Sequence, residues 1–195
     1  EIFRQFKIDV LGRGADDVAY LVGGAGRGGY EDIISPPSDY VTKAGDVLML
    51  DTGALFDGYF CDFDRNFSFG PPTAEVQRAH ETLYQATEAG LQTARAGITA
   101  ADLFESMWRV LEKAGASAST TGRMGHGLGM QLTEWPSLIP TDQTILRTGM
   151  VITLEPALEV GRGRFLVHEE DLVIRESGAE LLTKRASQTL PVIEP

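Results

Sequence analysis

The stretch Val47-Leu-Met-Leu-Asp51-Thr-Gly-Ala-Leu-Phe-Asp57-Gly58-Tyr-Phe-Cys-Asp62-Phe-Asp64-Arg65-Asn-Phe-Ser-Phe-Gly70 joins a hairpin signal to three carboxylates in an otherwise apolar run. Val47 to Leu50 reads as a strand, Asp57-Gly58 as the turn, and Tyr59 to Phe69 as the returning strand. Side chains alternate faces along a strand, so Asp62 and Asp64 share a face, and a turn at Asp57 brings Asp51 onto it. Phe60, Phe63, Phe67 and Phe69 suggest that the opposite face is buried as well. Three acids on a half-buried face repel one another and lose hydration unless a positive group sits between them. Two readings stay open on this stretch alone: a divalent metal site, or solvent-facing acids on an edge hairpin.

The 195 residues, 43% apolar and 23% charged, suffice for one globular domain with a real core. A net charge of -11 argues against nucleic acid or an anionic membrane surface as partner. Cys61 is the single cysteine, which excludes an internal disulfide framework and fits a reducing, cytoplasmic compartment. No apolar run reaches the ~20 residues of a membrane span. The chain opens on Glu1 rather than methionine, so it is expected to be a C-terminal piece of a longer protein, residues 1–195 forming one catalytic domain without its N-terminal partner.

Outward from the hairpin the pattern is mixed. Phe3, Phe6, Ile8, Val10 and Val18 to Val22 suggest short strands, and Gly23 to Gly29 a flexible loop. No Gly-Lys-Ser/Thr follows those glycines, so they do not form a phosphate loop. Thr73 is expected to cap a helix running to Gly97, and Thr99 with Asp102 a second one ending at Gly115. His80 reads as an ordinary surface or core-edge histidine. Glycines on both sides of His126 let the backbone approach whatever the imidazole touches. Glu155 and the run His168-Glu169-Glu170-Asp171 place acids within apolar strands, where a charge is seldom buried without a partner.

In this order and spacing the chain, from about Gly45 to Thr183, resembles the catalytic domain of the methionine aminopeptidase, Xaa-Pro peptidase and creatinase superfamily (M24 metallopeptidases). The resemblance rests on Asp51-Thr-Gly-Ala with Asp62 eleven residues on and Arg65 after it, Gly125-His126-Gly127-Leu-Gly129, Thr153-Leu-Glu155-Pro156, and Glu170-Asp171 before an apolar strand and Gly178. It implies an α+β pita-bread fold, a curved, mostly antiparallel sheet covered by helices, with a dinuclear metal site on its concave face. By matched position Asp51 would hold one ion, His126 and Glu155 the other, and Asp62 and Glu170 would bridge. Four oxygens and one nitrogen suit two divalent ions of the Mn, Co, Zn or Fe kind.

Departures from the family pattern bear on catalysis. The substrate-contacting histidine seven residues after His126 is Thr133, and Tyr30 to Gly45 contains no histidine. The threonine common two residues after the bridging aspartate is Asp64. The arginine common two residues before the last glutamate is His168, which shares a strand face with Glu170 and is a candidate for a replacement imidazole or for orienting Glu170. His168, Asp64 and Thr133 are therefore the candidate catalytic residues, and Trp135 and Tyr30 candidate pocket walls. The resemblance implies a hydrolase whose metal-bridging water attacks a peptide carbonyl near the substrate N-terminus, with a homodimer formed through the full-length protein. The alternatives are a small-molecule hydrolase or lyase on the same fold, as in creatinase, and a binding module that has lost catalysis. Either a peptide or a small molecule is the expected ligand.

Overall fold

The computed structural model describes residues 1–117, 122–161 and 163–194. It opens on a helix, α1 (Ile2–Gly12), where short strands were expected. Phe3, Phe6 and Val10 recur at helical spacing and are the partly covered side chains of this helix, whose remaining residues are exposed. Next comes β1 (Asp17–Arg27), which takes in Gly23 to Arg27 of the glycine-rich segment expected to be a loop and leaves only Gly28-Gly29 outside the strand. The glycines serve close approach: a Cβ on Gly23 would lie 2.2 Å from the Met49 carbonyl oxygen, and one on Gly24 2.7 Å from Tyr30 Cβ.

The hairpin forms as expected from β2 (Asp46–Phe56), β3 (Tyr59–Phe60) and β4 (Phe63–Phe69). Asp57 and Gly58 both take positive φ, 50° and 81°, as the tight turn between right-twisted strands requires. The return strand is interrupted at Cys61-Asp62. In β4 the acid-bearing face, Asp64, Asn66 and Ser68, is fully buried, whereas Phe63, Phe67 and Phe69 are only half-covered. The expectation that the aromatic face is buried as well is thus met only in part, while the acid-bearing face is the more deeply buried of the two.

Two helices follow, α2 (Ala74–Thr93) and α3 (Ala100–Lys113). Thr73 Oγ1 accepts the Val76 amide, and Thr99 and Asp102 make the reciprocal capping box. The remaining strands are β5 (His126–Gly127), β6 (Glu134–Ser137), β7 (Val151–Leu154), β8 (Ala157–Gly161), β9 (Arg164–Val167), β10 (Glu170–Ile174), β11 (Ala179–Leu181) and β12 (Val192–Ile193). One sheet has the order β1-β2-β4-β12, with β3 on β2; a second has β11-β10-β7-β5-β6; β8 and β9 form a separate ribbon. All pairs are antiparallel except β12 on β4.

The core lies between the helices and the second sheet. Leu83 and Ala86 of α2, Leu103, Met107 and Leu111 of α3, Ile152 and Leu154 of β7, and Leu172 and Ile174 of β10 are wholly excluded from water. Each buried Leu, Ile or Met of this set contributes about 1.5–3 kcal/mol. Gly90 makes the approach possible, since a Cβ there would meet Leu154 Cδ1 at 2.9 Å. Packing the helices on one face of β7 and β10 leaves the other face to the acids.

Candidate metal centre

Register decides which side chains meet. Asp51 pairs directly across from Asp64 in the β2–β4 ladder, so the hairpin acids do share a face. In the second sheet Asp171 pairs with Thr153 and Glu170 with Leu154. Leu154 lies against α2, and one step further along the same ladder Glu169 comes opposite Glu155. Paired residues of an antiparallel ladder point to the same side. Thr153, Glu155, Glu169 and Asp171 therefore form one face, and Leu154 and Glu170 the other.

His126 enters this face from β5. Its amide donates to Thr153 Oγ1 at 3.2 Å, and its ring Nδ1 lies 2.9 Å from the Gly127 carbonyl oxygen. A proton on Nδ1 bonded to that carbonyl leaves the Nε2 lone pair free, which is how a metal-binding imidazole is commonly oriented. Nε2 lies 3.4 Å from Asp62 Oδ2. Ligand atoms of Asp62, His126 and Glu169 all lie within 4.8 Å of one another, each residue being buried. Gly125 is needed beside them: at φ 144° a Cβ would stand 2.1 Å from the Thr153 carbonyl oxygen.

The other acids crowd round this trio. Asp51 Oδ2 accepts from the Tyr20 hydroxyl at 3.4 Å, while its Oδ1 is buried without a partner, as is Glu169 Oε1. Glu155 is held by Arg123 Nε at 2.9 Å. Burial, followed by the charges of Asp62, Asp64 and Glu155, pushes the Asp51 carboxyl up to about 8. Burial likewise raises Asp64 to about 7 and lifts Glu169 well above the ordinary range, the nearby Glu155 and Asp62 adding to the latter. Burial works against a charged His126, but Asp62 and Glu155 outweigh it and raise its pKa. Such a set is strained by its own charge, and buried carboxylate oxygens without donors fit a divalent cation.

Glu170 does not join it. Its carboxylate accepts from Arg65 Nη2 at 3.0 Å, from the Ala186 amide at 2.8 Å, and from the Thr183 hydroxyl. Both its oxygens are engaged and it lies on the opposite face of the strand, away from the trio, whereas Glu169 faces Asp62 and His126. His168 shares the face of Glu170, as the alternation implies, and so points away from the acids. Its Nδ1 lies 3.3 Å from Thr87 Oγ1, and its ring stands edge-on to His80 and Tyr84 of α2. Burial, with His80 and Arg185 nearby, lowers its pKa well below the usual value, and the ring packs against α2 rather than among the acids. Of the surface and core-edge placements expected for His80, the core side holds: it is buried, 2.9 Å from the Ser187 carbonyl oxygen.

Asp64 does lie at the centre. Thr133 is exposed on the loop between β5 and β6. Trp135 is exposed, its indole N–H donating to Thr144, while Tyr30 is buried and bonds Asn66 and the Val167 amide. Tyr20 and Arg123 were missed from sequence, and Glu169 and Asp171 were singled out only as members of an acidic run. The paired glutamates were a visible signal, but the choice between them needs the register against β7. Nothing local marks Tyr20 or Arg123.

The sequence profile of metallopeptidase family M24 matches residues 7–176. The Xaa-Pro dipeptidase of Pyrococcus furiosus is 31% identical over 153 residues, covering 78% of this chain and 44% of that protein. The crystal structure of dipeptidase PepE from Mycobacterium ulcerans superposes with a TM-score of 0.92 at 28% identity, over 100% of this chain and 52% of that one. The X-Pro aminopeptidase of Thermotoga maritima gives a TM-score of 0.90 at 29% identity, over 98% and 54%. The chain thus spans about half the length of the relatives it matches, and it has their pita-bread fold. Two sheets that bring acids from distant strands to one imidazole, the matching profile and these relatives together place the chain in metallopeptidase family M24.

Proposed function

We propose that this chain is the catalytic part of a metal-dependent peptidase that cleaves next to the substrate N-terminus, with Xaa-Pro peptides as the substrate class. The observation that carries the reading is the convergence of Asp62, His126 and Glu169 within 4.8 Å, with buried, donor-free oxygens on Glu169 and Asp51. In this reading Asp51, Asp62, His126, Glu155 and Glu169 hold two divalent ions of the Mn, Co, Zn or Fe kind. Such a pair supplies a water acidified toward neutral pH and positive charge beside the carbonyl oxygen.

The chain's own groups do the rest. The Gly127 carbonyl fixes the His126 tautomer, Arg123 holds Glu155, and the Tyr20 hydroxyl anchors one oxygen of Asp51, leaving the other free. Asp64 adds a further acid at the centre, and Thr133 stands on an exposed loop open to substrate. Retention of so many inward-facing acids, each costly without a cation, weighs against a binding module and against a creatinase-like enzyme that has lost its ligands. The names of the relatives support the substrate class. As for location, no helix among the described residues is long and apolar enough to cross a membrane; a cytoplasmic enzyme, dimeric as the full-length protein, is our reading.

The test is direct. The chain loaded with Mn(II) or Co(II) is assayed against Xaa-Pro dipeptides and tripeptides, with bound metal counted by atomic emission. Turnover that requires two equivalents of metal supports the proposal. Absence of any metal uptake refutes it.

A further inference from the structure

Two further buried acids beside the proposed ligands, Asp64 and Asp171, are arranged reciprocally. Asp62 lies at the break between β3 and β4, and Glu169 just ahead of β10, so neither amide has a ladder partner. Instead the Asp62 N–H donates to Asp171 Oδ2 at 3.1 Å, and the Glu169 N–H donates to Asp64 Oδ1 at 3.2 Å. Thus the acid two residues after each ligand bonds the amide of the ligand on the other strand, across more than a hundred residues of chain. Asp64 and Asp171 are 1% and 3% exposed, and each keeps a second buried oxygen, Oδ2 and Oδ1 respectively, with no donor. A carboxylate is the strongest acceptor available to an amide.

We infer that Asp64 and Asp171 are positioning residues forming a crossed clasp, Asp62-x-Asp64 against Glu169-x-Asp171, that fixes the two sheets at the spacing the shared ligands need. This rests on the metal-site reading for its purpose, though not for its geometry. The neighbouring contact of Arg65, which donates to the Glu169 carbonyl at 3.0 Å and to Glu170, closes the same seam from behind. Without the clasp the seam between the first sheet and β10 would lose both bonds donated by ligand amides.

The experiment uses the full chain, isotope-labelled and metal-free, with amide exchange read residue by residue by NMR. Asp171→Ala should speed exchange of the Asp62 amide by at least about tenfold and leave the Glu169 amide within about threefold; Asp64→Ala should do the reverse. Asn at either position retains an acceptor oxygen and should restore most of the protection. Calorimetry with Mn(II) should then show affinity weakened about ten- to a hundredfold in each Ala variant and largely recovered in the Asn variants. If the Ala variants do not fold, the wild-type chain still decides: scalar coupling across each hydrogen bond, from the Asp62 nitrogen to the Asp171 carboxyl carbon and from Glu169 to Asp64, must be present. Absent couplings, or both amides loosening together in each variant, overturn the clasp. A wild-type chain that takes up no Mn(II) yet shows the couplings sinks the peptidase proposal and leaves the clasp standing.

Discussion

Glu169 and Glu170 are the same side chain on adjacent residues, and the pleat sends them into different chemistry. Glu169 faces His126 and Asp62; Glu170 is sealed against Arg65, Thr183 and the Ala186 amide. Exchanging them in turn separates the two roles. Glu169→Ala should abolish Mn(II)-dependent turnover and remove at least one bound equivalent, measured by assay and metal count on the same preparation. Glu170→Gln should leave the metal count unchanged and cost about 3 kcal/mol in urea unfolding, because Arg65 loses its buried partner. A Glu170 variant that loses metal and keeps its stability would return the ligand role to Glu170. His168→Ala should likewise lower stability, by about 2–4 kcal/mol, with turnover per folded molecule within about twofold of wild type. That these residues matter could be read from the sequence, since acids in apolar strands need partners. Which of them face each other could not, because the answer turns on a shift of a single residue.

Elements with local signals are the ones the sequence made legible. Thr73, and Thr99 with Asp102, cap their helices by bonds within one turn, and Asp57-Gly58 turns the hairpin by its own backbone preference. Thr99→Ala should cost about 1 kcal/mol of stability by chemical denaturation, with metal affinity unchanged. The glycine-rich run is the opposite case. Gly23 and Gly24 suggest flexibility by composition, but they sit in β1 because β2 and Tyr30 press against them. Gly125 follows the same logic at the centre, where β5 passes the Thr153 carbonyl too closely for any side chain. Gly125→Ala should therefore displace His126 and weaken Mn(II) binding at least about tenfold, checked by calorimetry against a far-UV spectrum showing that the fold persists.

For the molecule as a whole, the gathered acids make stability depend on pH and on metal together. Asp51 is raised to about 8, and Asp64 and Asp171 to about 7, each mainly by burial, against 3.8 for a free aspartate. Between those limits the folded metal-free chain binds more protons than the unfolded one, so this contribution is complete below about pH 4 and is lost as pH rises through 7 to 8. The melting temperature of the metal-free chain should fall from pH 5 to pH 8. Saturating Mn(II) should raise it more at pH 8 than at pH 5, since the cation takes the place of the protons, and a chelator should undo the gain. A melting temperature independent of pH would mean that the acids do not converge in solution. The sequence by itself determined the hairpin, the helix caps, the acids and imidazole that could meet, and the family to which they belong, because each of these is written in short-range pattern and spacing. Only the tertiary structure decided that Glu169 and not Glu170 faces the centre, that His168 belongs to the core, and that Asp64 and Asp171 hold each other's strands, because strand register and the approach of two sheets are set by packing between residues a hundred positions apart.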